Sequence, residues 1–143
     1  MMAYVSSFVY AEQIQRQRTK NGDMQNQIIN PLQSLNLISV PSHFSFTVSC
    51  VISSFEMGKE HTIKIDFLDP HEKVIATIMD EKVPDTLSPE EIERYKGIQV
   101  DIDIRNFVFV EEGTYLTRIY FDEVIIGEYN IPVISRGYCN HAK

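Results

Sequence analysis

The groups in this sequence that could do chemistry are Asp66, Asp101 and Asp103, four histidines, two cysteines, a handful of tyrosines and one basic turn. Asp101 and Asp103 stand two residues apart, so on a strand both carboxylates lie on one face, ~6.5–7 Å from each other. Joined by Asp66 from another strand, they could surround a hard cation. A solvated strand face with Lys64 or Arg105 nearby explains the same charges more simply. As glycosidase acids the pair fails, because two groups fixed on one strand do not flank a bond from opposite sides. His43, His61, His71 and His141 are scattered without His-x-x-x-His or Cys-x-x-Cys spacing, and Cys139 with His141 supplies only two ligands, a poor metal site. Cys50 shares its strand parity with Phe46, Val48 and Ile52, which makes it a small buried hydrophobe rather than a nucleophile.

Tyr115 follows Gly113 by two residues at the mouth of a late strand, the place of a packed tyrosine whose hydroxyl bonds a backbone group, as in a tyrosine corner. Tyr95, Tyr120, Tyr129 and Tyr138 are the aromatics on which a sugar could stack, but the chain has no Trp. No Gly-x-Ser-x-Gly elbow, phosphate-cradling loop or dinucleotide fingerprint occurs, and the six glycines are spread thinly. The sequence therefore assigns no catalytic, cofactor-binding or metal-ligating residue and implies no cofactor.

The net charge of −7 repels phosphate backbones and argues against nucleic acid as a partner. Arg16, Arg18 and Lys20 beside Asn21-Gly22 form one local exception, which either meets an anionic partner or is simply a solvated hairpin tip. No apolar run approaches the ~18 residues of a spanning helix, and no basic-then-apolar leader opens the chain, so no membrane association is expected. The two cysteines have no close partner in sequence; a disulfide framework is not indicated, a single bridge stays open, and a cytoplasmic setting is expected.

These groups must be positioned by strands, because apolar residues recur at every second position and are rich in Ile, Val, Phe, Tyr and Thr. Phe44, Phe46, Val48, Cys50 and Ile52 form one inward row; Ile63, Ile65 and Phe67 form another, returning through Asp69-Pro70-His71-Glu72 to Val74, Ala76 and Ile78. Ile98, Val100, Ile102 and Ile104 make a long strand whose phase breaks at Asn106; either its far end is covered on both faces or, the favoured reading, it is bulged there, which also bends the strand toward the other sheet. Glu111-Glu112-Gly113 turns into Tyr115–Phe121, Asp122-Glu123 occupies a two-residue hairpin loop, and Gly127 marks a bulge or close approach in the returning strand. Near the start, residues 4–15 and 24–30 pair across Lys20-Asn21-Gly22-Asp23, while Pro31 and Pro41 confine any strand between them to a short or edge position. The one helix signal is Ser88-Pro89-Glu90-Glu91, a capping box with Pro at the first helical position, read as a short crossover helix near 88–96. The expectation is an all-β protein, a two-sheet antiparallel β-sandwich forming a single domain over 1–134, with a polar C-terminal tail over 135–143.

Ser6-Ser7-Phe8-Val9-Tyr10-Ala11-Glu12, Ile28-Ile29-Asn30-Pro31-Leu32, Pro41-Ser42-His43-Phe44-Ser45-Phe46, Arg105-Asn106-Phe107-Val108-Phe109 and Glu112-Gly113-Thr114-Tyr115 together resemble an uncharacterised bacterial domain-of-unknown-function family. The resemblance spans Tyr4 to Val133 and implies an immunoglobulin-like sandwich with no assigned activity. Asp122-Glu123 departs from it, since such families often place Asp-Gly there, and a strict type I′ turn is less comfortable as a result. The functional expectation is a non-enzymatic domain for protein–protein interaction or self-association, whose partner is a protein or a second copy. A small-ligand or carbohydrate-binding module is the alternative, and a hydrolase assembled from distant residues is a third reading.

Overall fold

The computed structural model describes residues 3–22, 24–55, 59–83 and 97–136. The period-two rows become nine strands: β1 (Tyr4–Arg18), β2 (Met24–Pro31), β3 (Leu35–Leu37), β4 (Ser42–Ser53), β5 (His61–Leu68), β6 (Val74–Val83), β7 (Gly97–Phe109), β8 (Gly113–Phe121) and β9 (Val124–Ser135). They form a four-stranded sheet in the order β2-β1-β4-β7 and a five-stranded sheet in the order β3-β9-β8-β5-β6. No helix occurs among the described residues, and the crossover helix expected near 88–96 lies outside them. The expected all-antiparallel pairing needs one correction: β3 runs parallel to β9, Leu35 opposite Val133. Between Pro31 and Pro41 the chain crosses from the four-stranded to the five-stranded sheet and adds only three residues to the far edge.

Each sequence irregularity has a structural counterpart. In β7, Phe107 pairs with Phe44 but Ile104 pairs with Phe46, so one extra residue is inserted, with Asn106 at φ 51°. Ser45 Oγ accepts the Asn106 N–H at 2.9 Å. The bulge flips the parity, returning Phe107 and Phe109 to the core while Val108 is half exposed. It does not carry β7 into the other sheet; the strand pairs with β4 along its whole length. A second shift, between Ile119 and Tyr120, inserts a residue of β9 beside Gly127. A Cβ at Gly127 would stand 2.7 Å from the Tyr129 ring, which explains the glycine.

At the β8–β9 turn, Asp122 and Glu123 adopt φ values of 50° and 68°, the positive pair of a type I′ turn despite the absence of glycine. Such angles cost L-residues about 1–2 kcal/mol each, and the neighbouring strand offsets this. The Asp122 N–H donates to the Thr62 carbonyl at 2.9 Å. The Asp122 carboxylate accepts the Thr62 N–H at 2.9 Å and meets His61 Nδ1 at 2.6 Å. The β5–β6 turn uses the same device, with Asp69 Oδ1 accepting the His71 and Lys73 N–H groups at 2.8 and 2.9 Å.

The core lies between the sheets as two adjoining clusters. One gathers Tyr10, Phe46, Phe67, Phe109 and Tyr115 with Leu35, Leu37 and Val133; the other gathers Cys50, Ile52, Ile63, Ile65, Val100, Ile119 and Phe121. Phe8, Ile78, Ile102 and Tyr129 pack against both, so the interior is continuous. Phe46 is fully buried with its ring 5.9 Å from Phe67 and 6.2 Å from Phe109. Tyr10 is the polar cross-link: its hydroxyl donates to the Tyr129 carbonyl at 2.7 Å and, having spent its proton, accepts from Thr117 Oγ1 at 2.6 Å. Burial pushes the Tyr10 phenol well above its usual range, so it stays a neutral donor.

Two predictions follow from this packing. Phe46→Ala should lower stability by about 3–5 kcal/mol, whereas Val108→Ala should stay within about 0.5 kcal/mol; equal urea midpoints for the two variants would contradict the core assignment. Acid should also loosen the turns. Hydrogen bonds from the Lys73 and His71 amides hold the Asp69 carboxyl below its usual range. At Asp122 burial pulls upward, but the bonds from His61 and Thr62 outweigh it and the carboxyl is again depressed. Both groups stabilise the fold above the unfolded-state value of about 3.9 and lose that contribution as pH falls through their lower folded values. The melting temperature should therefore drop on acidification below about pH 5. Asp122→Asn, which keeps a residue tolerant of positive φ, should remove part of that drop. An unchanged acid limb in this variant would show that the clamp has no charge-dependent role.

Candidate interaction surface

The largest departure from a plain sandwich is the β1–β2 ribbon. β1 pairs with β4 only as far as Ala11 opposite Thr47; past that point, among the described residues, it pairs with β2 alone. Alternation then sorts the ribbon into two faces. Gln13, Gln15 and Gln17 stand opposite Ile29, Gln27 and Gln25 on one face, while Ile14 stands opposite Ile28 on the other, in line with Arg16 and Arg18. Nearly every described side chain from Glu12 to Asn30 is exposed. The turn at its tip uses Gly22 at φ 88°, its N–H donating to the Thr19 carbonyl at 3.0 Å. Arg18 closes over that turn onto the Gly22 carbonyl at 3.3 Å, so the expected basic cluster is indeed a hairpin tip.

The ribbon leans across the outer face of the four-stranded sheet. Gln13, Ile14 and Arg16 face Thr47, Asp103 and Arg105 around a pocket of about 250 Å³. Here the acidic pair of β7 is satisfied from within the protein. Thr47 donates to Asp103 at 2.8 Å, Arg105 donates to both Asp103 oxygens at 2.8 and 2.9 Å, and Ser49 donates to Asp101 at 2.6 Å. The Thr47 hydroxyl and then the Arg105 guanidinium hold the Asp103 carboxyl below its usual range. Asp66 lies elsewhere, on the outer side of the other sheet, accepting the Thr77 hydroxyl at 2.8 Å with Lys64 Nζ at 3.8 Å. The three carboxylates therefore do not converge. Among the described residues no group of three or more His, Cys, Asp or Glu could hold a metal ion.

The remaining candidates are likewise accounted for by packing. Tyr115 is buried and donates to the Glu111 carbonyl at 2.8 Å, the tyrosine-corner arrangement. Cys50 is buried, and desolvation, with Asp101 adding to it, pushes its thiol up to about 12, leaving no reactive thiolate near neutrality. His43 is exposed at the start of β4, His71 meets Glu111 at 3.0 Å in the β5–β6 turn, and His61 is at the start of β5. Tyr129 stacks on Phe8 at 4.1 Å, and Lys64 Nζ stands 5.4 Å over the Tyr120 ring. Tyr95, Tyr138, Cys139 and His141 lie outside the described residues.

Sequence reasoning missed the His61–Asp122 pair. The residues are 61 apart and nothing in their spacing joins them. A His–carboxylate contact is half of a nucleophile-activating dyad, but this ring is only 7% exposed and packs on Phe121 and Phe55. Neither the 250 Å³ pocket nor the groove of about 810 Å³ between β6 and β7 is lined by a described histidine or cysteine. No helix of the described residues is long and apolar enough to cross a membrane.

Comparison with known proteins gives a fold and a family. No curated protein matches the chain. Among solved structures, a β-glucosidase from Listeria innocua in complex with glucose is similar at TM-score 0.52 and 12% identity, over 95% of this chain and 16% of that one. Its complex with isofagomine gives TM-score 0.49 and 12% identity over 94% and 17%. The alkylpurine DNA glycosylase AlkC of Pseudomonas fluorescens, bound to DNA containing an abasic site analog, gives TM-score 0.48 and 9% identity over 93% and 30%. The chain thus spans less than a third of each of these structures, and at 12% identity the likeness to the glucose complex concerns the fold alone. The sequence match is broader in meaning: residues 8–134, from Phe8 in β1 to Ile134 in β9, fit one family throughout, and the chain belongs to that family of unknown function, DUF6941.

Proposed function

We propose that this protein is a non-enzymatic interaction module, an immunoglobulin-like sandwich that uses its β1–β2 ribbon to bind another protein or a second copy of itself. The observation that carries this reading is the ribbon beyond Ala11, two strands paired only with each other among the described residues and almost wholly exposed. An isolated two-stranded hairpin is marginal in water, and ordering each residue costs about 1–2 kcal/mol of backbone entropy. A ribbon that covers so little of its own core makes physical sense as a surface for something else. Its amide face can supply many hydrogen bonds without a desolvated charge. A reduced, cytoplasmic setting fits the free and buried Cys50. Nothing in the placement of Tyr120 or Tyr129 favours the sugar-binding alternative.

The test compares the wild-type chain with Gln15→Ser/Gln17→Ser/Gln25→Ser, exposed changes that should leave the melting curve of the body almost unmoved. Light scattering and affinity capture should show association in the wild type and its loss in the triple variant. A wild-type chain that is monomeric and retains no partner, or association indifferent to the ribbon, would remove the proposal.

A further inference from the structure

A sandwich with two open sheets has four edge strands, besides the free side of β1 past Ala11, which bears Glu12, Arg16 and Arg18, and three of the four carry devices that discourage pairing with another strand. β3 is only three residues long. β6 bears Asp80, Glu81 and Lys82 and is interrupted by two register shifts. β7 bears Asp101, Asp103 and Arg105 and is bulged at Asn106. Short length, charge and bulges are the known protections of sheet edges. The fourth edge, β2, has none of them from Met24 to Ile29: that stretch carries no charged side chain and its pairing with β1 shows no shift, and the backbone departs from extended only at Asn30, at φ 53° before Pro31. It also displays Ile28, 45% exposed.

We propose that β2 is the self-association edge, pairing antiparallel with β2 of a second copy about a twofold axis at Ile28. The inference rests on the interaction-module reading and names its partner. Electrostatics select a second copy at this edge. Two chains of net charge −7 repel, so they meet with least penalty where negative charge is thinnest. Residues 12–30 hold three cations against two carboxylates, which leaves the negative excess on the rest of the chain. Antiparallel pairing directs the cationic turn of each ribbon toward the root of the other and, with Asn26 opposite Asn30, brings Arg16 level with Glu12 of the other copy. Residues directly opposite in an antiparallel ladder share a face, so a twofold at Ile28 sets Ile28 against Ile28 of the other copy. The two Gln27 side chains, one opposite each Ile29, then extend the amide face across the junction. The result is an eight-stranded sheet, β7-β4-β1-β2 continued by its mate. One shared ladder is smaller than the ~1,200–2,000 Å² of a tight interface, so the dimer should dissociate on dilution.

Sedimentation of the full chain over a concentration series should give a reversible monomer–dimer equilibrium. Ile28→Lys and Ile28→Glu each place like charges face to face and should be monomeric with unchanged near-ultraviolet dichroism. Mixing the two variants should restore the dimer. A dimer that persists in either variant would overturn the β2 edge while leaving the interaction-module reading in place. A wild-type chain that stays monomeric at concentrations well above micromolar yet captures another protein through the ribbon would also overturn self-pairing, again without touching that reading. A wild-type chain that neither dimerises nor captures anything would sink both.

Discussion

The two sheets share no strand, so the structure depends on what their inner faces do to each other. Phe46 and Tyr10 from one sheet interleave with Phe67 and Tyr115 from the other, and Phe109 closes the cluster from β7. Offset and edge-on aromatic contacts of this kind add about 0.5–1.5 kcal/mol each beyond the area they bury. The Tyr10 hydroxyl adds direction to an otherwise non-directional contact, since it can reach both Thr117 and the Tyr129 carbonyl only when the sheets are correctly stacked. The remaining features of the fold either feed residues into this layer or protect what lies outside it.

Most of the architecture was legible because burial on one face imposes a period of two. The rows in β4, β5, β7 and β8 were readable to within a residue or so, and Asn106 announced its bulge by placing Phe107 and Phe109 on the wrong parity. The crossing between sheets after Pro31 was not legible, because a three-residue strand carries no period, and its parallel pairing with β9 depends on a chain direction no local pattern encodes. Asp122-Glu123 was readable as a turn but not as a comfortable one: the His61 and Thr62 groups that relieve it come from a strand sixty residues earlier. The absence of a legible active site has a similar basis. Most of the polar groups that looked chemical have partners within the protein, Thr47 and Ser49 on the acids of β7, Glu111 on Tyr115.

The polar outer faces are organised to a degree that bears on how the protein meets others. In the middle of β4 the outward positions are hydroxyls, and Ser45, Thr47 and Ser49 are each spent on β7. That leaves those hydroxyls engaged inside the protein, and on the proposed reading the surface that meets a partner is the ribbon. Its glutamines are long, neutral and unbranched, and they can reorient to suit a partner at modest desolvation cost. A surface of this kind favours association that is reversible over association that is permanent.

The clamped β8–β9 turn has a consequence in time. A two-residue loop built on Asn-Gly closes by itself and can seed a hairpin early. Here the positive φ values of Asp122 and Glu123 are relieved only once Thr62 and His61 have arrived alongside. The last hairpin of the chain is therefore a late reader of the middle of the chain rather than an independent nucleus. Contacts so distant in sequence belong to slowly assembling β topologies.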